Sequence, residues 1–561
     1  MQVAGWFPGA RDGRADRAAP RRGAPPGMGR VAGFVCAALV ALGAASSAGA
    51  GATPQLSDEA FEQAKFIYFD RCSGCHGALR KGATGPNITD ETMTKQTLAK
   101  LEKTIYEGTD AGMPGWGRTG ELTRGETELM AKYLQMPAPV PPEMGLKEMK
   151  AAHKLHVPVA QRPLKPLHKR NIDNLFGFIL RDAGKGAIID GDTKELMGIV
   201  DTGFAVHIFR ASGTGRYFYT IGRDGKVSLI DLYEEKPRVV AEGRVCLDAR
   251  SVEVSKYKGP KGDFVDKLAV VGCYWPPQLV VMDGQTLEPL KVVSTRSSTY
   301  DTNEYHPEPR VATIVASHAD PEWVVAIKET GLIWLVDYSD LKNLRMTQIE
   351  AERFLHDGGF DASGRYLLIA ANMRDQMVVV DTKEKKFVTK FETGVKPHPG
   401  RGANWIDPEY GPVSATTHLG EGLITVFGSD PAGHPEHAWK IVRDEETGGP
   451  GLFLKTHPKS NHIWTDATLS KEEGANQKIC VFRKDDFDAG ANCWKATDHG
   501  KIVHFEYNKA GDEVWTSVWD KQGEIIIYDD KTLKEKQRIA ADWLVTPTGK
   551  WNVYNTVHDI Y

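Results

Sequence analysis

Val227-Ser-Leu-Ile-Asp231 is a short apolar run, rich in branched side chains and closed by a polar turn, and the chain repeats it seven more times. The other copies are Gly186-Ala-Ile-Ile-Asp190, Leu279-Val-Val-Met-Asp283, Ile333-Trp-Leu-Val-Asp337, Met377-Val-Val-Val-Asp381, Leu423-Ile-Thr-Val-Phe427, Lys478-Ile-Cys-Val-Phe482 and Glu524-Ile-Ile-Ile-Tyr-Asp529. Their ends fall about 41 to 55 residues apart, the length of a four-stranded propeller blade. Asp224-Gly225, Asp283-Gly284 and Ala362-Ser-Gly364 supply turns between strands. Eight recurrences predict an all-β, eight-bladed propeller over residues 171–561. An irregular array of β-sandwiches is the competing architecture, but a fixed period of this length favours radial repetition.

Composition agrees with short strands. The 561 residues include 57 Gly, 31 Pro, 20 Phe, 17 Tyr and 13 Trp, a mixture that favours many turns over long helices. With 41% hydrophobic and 26% charged residues, wholesale disorder, collagen-like structure and a multi-span membrane protein are excluded. The first 50 residues carry six Arg and two Asp, so an overall charge of −4 becomes −8 for the rest. A mildly acidic chain gives no reason to propose nucleic acid as a partner.

Upstream of the propeller the pattern changes. Residues 31–45 form a short apolar run preceded by Arg30 and followed by Ala48-Gly49-Ala50. A charged start, a short apolar middle and an A-x-A site predict a cleaved signal peptide over residues 1–50, hence export to the periplasm. The run is too short to span a bilayer comfortably, so stable membrane insertion is not expected. Met28 is an alternative start. Residues 51–140 read as a small all-α domain. Ala60, Phe61, Ala64, Ile67 and Tyr68 share one helical face, and Thr123-Arg-Gly-Glu126 is a capping box opening a last helix. Met136-Pro-Ala-Pro-Val-Pro-Pro142 then stops it, and residues 141–170 read as a linker.

Within the helical region, Cys72-Ser-Gly-Cys75-His76 has the spacing of c-type haem attachment. Two thiols one turn apart can add to the two haem vinyl groups, and the adjacent imidazole reaches the iron. A thioredoxin-like dithiol would need a βαβ context, and a zinc site would need a second cysteine pair nearby; neither is present in the sequence. The domain is therefore expected to be a class I-like cytochrome c with His76 as one axial ligand. No His lies between 77 and 152, so the second ligand is sought among Met93, Met113, Met130, Met136 and Met144. Met113 is favoured because Ala111-Gly-Met-Pro-Gly-Trp-Gly117 is a loop able to curl over a flat ring.

The propeller offers His207, His356 and His398 together with Arg181, Arg210, Arg223, Arg250 and Arg401. Taken alone, His207 reads as a core histidine in a strand, satisfied by hydrogen bonds. His356 and His398 lie beside glycines and read as loop residues. Arginines converging on a propeller channel would bind carboxylates or a small anion.

These residues sit in motifs that resemble a known family. The haem motif and Gly112-Met-Pro-Gly-Trp-Gly117 are followed by Ala205-Val-His-Ile208, Ile221-Gly-Arg-Asp-Gly-Lys226, Tyr274-Trp-Pro-Pro277, Tyr305-His-Pro-Glu-Pro-Arg310, Arg353-Phe-Leu-His-Asp-Gly-Gly359, His398-Pro-Gly-Arg-Gly-Ala-Asn404 and Leu544-Val-Thr-Pro-Thr-Gly549. In this order they resemble the cytochrome cd1 nitrite reductases, from about residue 57 to Tyr561. The resemblance implies a covalent haem c and a non-covalent haem d1, with His207 as the d1 iron ligand. It implies His356 and His398 as catalytic residues on the open side, and Arg181, Arg210, Arg223, Arg250, Tyr274 and Arg401 around the cofactor. It further implies one-electron reduction of nitrite to nitric oxide, a c-type cytochrome or cupredoxin as donor, and a homodimer. The architecture is shared by haem d1 maturation proteins of the dihydro-haem d1 dehydrogenase kind, the alternative function. Those relatives do not keep both distal histidines in these motifs. One departure is that no tyrosine precedes Tyr68, so a distal tyrosine from an N-terminal arm is not supported. Cys480 and Cys493 flank a turn and read either as a pair or as separate thiols, while Cys246 and Cys273 read as core residues.

Overall fold

Every one of the recurring runs forms the third strand of its antiparallel unit, from Lys185–Asp190 in the first to Glu524–Asp529 in the last. The computed structural model describes residues 54–109 and 113–561; the expected signal peptide and two residues of the Met113 loop, Ala111 and Gly112, lie outside them. Among the described residues there are seven four-stranded sheets and one five-stranded sheet, besides two short two-stranded ribbons. These eight larger sheets are the blades of the propeller. A third strand such as Gln376–Asp381 is buried along almost its whole length, whereas the outer strand Glu535–Ala540 is almost wholly exposed. That position explains the sequence signal. A strand covered on both faces by neighbouring blades reads as a continuous apolar run, not as an alternation.

The ring is closed by chain ends that are distant in sequence. Pro547–Asn552 pairs antiparallel with Leu175–Leu180, placing Asn552 opposite Phe176 and Pro547 opposite Leu180. Completing the first blade with the last strand covers the edges that an open array would leave.

The helical domain packs α1 (Asp58–Ile67), α2 (Ser73–His76), α3 (Asp90–Met93), α4 (Leu98–Glu107) and α5 (Arg124–Leu134) around Tyr68, Ile105, Met130 and Tyr133. The predicted capping box is present: Glu126 N donates to Thr123 Oγ1 at 3.3 Å, and Thr123 N donates to Glu126 Oε2 at 2.8 Å. α1 ends earlier than its apolar face suggests, passing into a π-helical turn over Tyr68–Cys72. Tyr68 Oη donates to Gly77 O at 2.6 Å and ties that turn to the end of the haem motif.

The segment read as a linker has structure of its own. α6 (Leu146–Ala152) buries Met149 completely in a propeller core cluster, and Lys154–Leu155 adds a fifth strand against Arg238–Arg244. Cys480 and Cys493 are opposite each other in the strand register and are bonded. Cys246 and Cys273 are also joined, so they are buried as a disulfide and not as separate core thiols. No helix among the described residues is long and apolar enough to cross a membrane.

Candidate active site

In the helical domain the haem motif spans the turn between two helical segments. Cys72 ends the π-helical turn and Cys75 and His76 lie in α2; both thiols are free. His76 is buried, and its Nδ1 lies 2.8 Å from Pro86 O. A carbonyl can only accept, so Nδ1 carries the hydrogen and Nε2 keeps its lone pair for a metal. Burial lowers the pKa of the ring, favouring the neutral form that coordinates iron. Of the five methionines, Met93 and Met130 are buried in the helical core and Met144 belongs to a propeller cluster. Met113 is half-buried against the helical core on the connection from α4 to α5, with its backbone N donating to Thr109 Oγ1 at 3.3 Å. These residues suit a covalent haem c.

The propeller encloses a central cavity to which several blades contribute. His207, His356 and His398 all line it, as do Arg181, Arg210, Arg250, Tyr274 and Arg401. Arg223 does not. It is held by Asp248 through bonds of 2.7 and 2.9 Å, and its guanidinium lies against Gly74 of the helical domain.

His207 is not a core histidine. It precedes the strand Ile208–Ala211, after a turn in which Ala205 has φ +45°, and its backbone N donates to Ile221 O at 2.9 Å. Its ring makes no hydrogen bond and its exposed surface faces the cavity, so the surrounding protein still desolvates it. Burial, reinforced by the nearby Arg250, pushes its pKa well below the ordinary value and leaves a neutral imidazole. Around it, cationic groups exceed their partners. Arg210 and Arg401 share the single carboxylate of Glu253, at 3.4 and 3.3 Å. Burial and the neighbouring Arg401 depress Arg210 to about 10. Nε of Arg210, Nε of Arg250, Nδ1 of His504 and Oη of Tyr561 are buried without a hydrogen-bond partner. A cavity with a free imidazole, surplus guanidinium charge and unpartnered donors fits a metal-bearing macrocycle with carboxylate arms.

His356 and His398 come from strands, not loops: Leu355–Phe360 and Pro397–Asp407. Both strands lose register at the histidine, between Leu355 and Gly358 and between His398 and Ala403, and such bulges redirect side chains. Gly359 permits the strands to close up, since a Cβ there would stand 2.3 Å from Arg401 O. The two rings end 5.0 Å apart.

Asp357 stands between them, and sequence reasoning gave it no role although it lies inside a quoted motif. Its Oδ2 is 3.1 Å from His398 Nε2 and its Oδ1 is 3.2 Å from His356 Nδ1, the latter out of hydrogen-bonding alignment. His398 Nδ1 faces Leu452 O at 2.6 Å. Both nitrogens of His398 therefore meet acceptors, an arrangement that suits the doubly protonated ring. Burial works against that charge, but Asp357 and the Leu452 carbonyl outweigh it and raise the His398 pKa. The Asp357 carboxyl is also buried, yet the two imidazoles hold it well below the usual range. Burial and the nearby Lys328 lower His356 to about 4, so the two rings are pushed in opposite directions. His504 and Tyr561, also missed, have no local signal because they reach the cavity from other parts of the ring.

Residues 170–556 match the cytochrome D1 heme domain, and residues 59–134 match a cytochrome c domain, that of the cbb3-type cytochrome c oxidase subunit III. A nitrite reductase of Stutzerimonas stutzeri is 47% identical, over 96% of this chain and 99% of that protein. The chain belongs to the cytochrome cd1 nitrite reductase family. The family's two cofactors, haem c and haem d1, correspond to the two sites described. The dihydro-haem d1 dehydrogenase of Pseudomonas aeruginosa is 28% identical over 88% of this chain and 93% of that protein. A solved dihydro-haem d1 dehydrogenase structure, "in complex with DHE", superposes with a TM-score of 0.68 at 27% identity, covering 88% of this chain and 99% of that one. Architecture is thus common to a nitrite reductase and to a dihydro-haem d1 dehydrogenase, while sequence identity favours the reductase.

Proposed function

We propose that this chain is a dissimilatory nitrite reductase, forming nitric oxide and water from nitrite with one electron and two protons. When bound, haem d1 supplies the iron at which nitrite is reduced, and haem c supplies the electron. Cys72 and Cys75 would hold haem c, and His76 and Met113 would supply ligands to its iron. His207 is the protein ligand of the d1 iron, because its free imidazole projects into the cavity. Arg181, Arg210, Arg250 and Arg401 with Tyr274 orient the macrocycle through its carboxylates, while Arg223 acts from the wall facing the helical domain.

The observation that carries the catalytic reading is the His356–Asp357–His398 cluster, whose ligating atoms lie within 4.8 Å of one another. His398 holds a proton against Asp357 and supplies it. His356, kept neutral, takes up a proton and passes it on. An imidazolium next to a surplus of guanidinium charge also draws a small anion into the channel. The maturation reading needs no such store of protons. His356→Ala and His398→Ala are each expected to retain both haem spectra while losing most nitrite turnover. Normal nitric oxide formation by either variant overturns the assigned role. An optical spectrum with c-type bands alone would instead point to a cytochrome-linked propeller that only binds a partner protein through its channel.

The leader expected over residues 1–50 and the two cofactors support a periplasmic enzyme. Its donor is a c-type cytochrome or cupredoxin, and its working form a homodimer.

A further inference from the structure

Tyr305-His-Pro-Glu-Pro-Arg310 takes no part in the cavity, yet two of its ionisable side chains are buried. Glu308 is 7% exposed, and its carboxylate accepts from Ala78 N at 2.6 Å and from Leu79 N at 3.2 Å. Those amides lie two and three residues beyond His76. Arg310 is 1% exposed and donates from Nη1 to Gly74 O at 2.7 Å. Gly74 lies between the two haem-attachment cysteines. All three bonds therefore fall on residues 74–79 and none needs a cytochrome side chain.

The grip is braced from the propeller side. Arg310 Nε donates to Glu329 Oε1 at 2.7 Å, and Arg310 N donates to Glu329 Oε2 at 2.7 Å. The Arg310 guanidinium lies 4.8 Å from the centre of the Tyr274 ring, which lines the cavity. On the cytochrome side, a Cβ at Gly74 would stand 2.7 Å from Arg223 Nη2, and one at Gly77 would stand 3.0 Å from Glu308 Oε2. Burying polar and ionisable groups is costly unless each has strong partners. An interface needing only adhesion could use apolar contacts instead.

We infer that Glu308 and Arg310 are positioning residues for electron passage between the two haems, an inference that rests on the haem c and haem d1 reading above. They hold the haem-attachment segment at one distance and orientation from the Tyr274 wall of the cavity. One electron leaves haem c and is taken up by haem d1; no bond forms or breaks. Because electron passage weakens steeply with separation, loosening this segment slows that step without touching the chemistry on nitrite.

The test uses the haem-loaded chain and its Glu308→Gln, Glu308→Ala and Arg310→Gln variants. Haem c is reduced rapidly, and its reoxidation is followed optically together with reduction of haem d1. Glu308→Gln keeps one acceptor oxygen and Glu308→Ala keeps none, so transfer should slow progressively, by about tenfold in the alanine variant. Hydrogen exchange at the Ala78 and Leu79 amides should accelerate in the same order. Haem d1 content and nitric oxide formation with directly reduced d1 should match the unmodified chain. Unchanged internal transfer in Glu308→Ala, despite faster exchange, overturns the inference; unchanged exchange shows that the grip is not made. Should the unmodified chain pass electrons between its haems yet form no nitric oxide, the nitrite reading fails and this one stands.

Discussion

The helical domain and the propeller each present an imidazole for iron, and they hold it by different means. His76 is fixed by its own neighbourhood: Pro86, ten residues onward, takes its Nδ1 hydrogen at 2.8 Å. His207 has no such partner. Its backbone is pinned by Ile221, and its surroundings are assembled from Arg181, Arg210, Arg250, Arg401 and Tyr561, residues scattered over the whole ring. A cofactor attached through two thiols needs little else from the fold. One held without covalent bonds needs a closed cavity with charge left unbalanced toward it.

Replacing His207 should separate these modes most sharply. His207→Ala is expected to lose nitrite turnover by more than about a hundredfold, since even partners of a metal ligand commonly cost 10–100-fold. The same variant should keep its c-type bands, and loss of haem c on isolation would break the comparison.

The proton store comes next. Asp357→Asn removes the charge that raises the His398 pKa, and turnover should fall by about a hundredfold, the usual worth of a placed proton donor. The sign of its pH dependence follows from the same shift. A donor with a raised pKa is loaded below that value and empties as pH rises through it. The descending limb of kcat against pH should therefore lie above the ordinary imidazole value near 6.5 in the unmodified chain, and move to lower pH in Asp357→Asn. An unmoved limb would assign the protons elsewhere.

Arg210→Gln tests the surplus charge. Losing one charge-assisted contact should weaken retention of haem d1 by about 10–100-fold, measured by competition with apo-protein, while haem c is unaffected. The smallest functional effect is expected where the two regions are merely joined. Met149→Ala empties a fully buried site in the connector and should lower stability by about 2–4 kcal/mol in denaturant titration. Both haem spectra and kcat should stay as they were.

How much of this was legible depended on how local each feature is. The haem motif, the Thr123 capping box and the blade repeat each lie within a few residues, so periodicity and spacing exposed them. The connector was misjudged because nothing in residues 141–170 announces that Met149 has a propeller core to enter. His207 read as a strand interior because the turn at Ala205 depends on contacts made after folding. His356 and His398 read as loop residues because a bulge in an innermost strand has no signature distinct from a turn.

Asp357 shows the division most clearly. Its identity sits in plain view between His356 and Gly358, but its effect comes from a second histidine some forty residues away in sequence, brought within 3.1 Å by adjacent blades. By itself the sequence determined the eightfold repeat, the covalent haem attachment and the stock of histidines and arginines. Only the tertiary structure decided which arginines share a carboxylate, which turns toward the cytochrome, and which imidazole keeps a proton. Those outcomes depend on distance and desolvation between groups remote in the chain, and neither exists until the ring has closed.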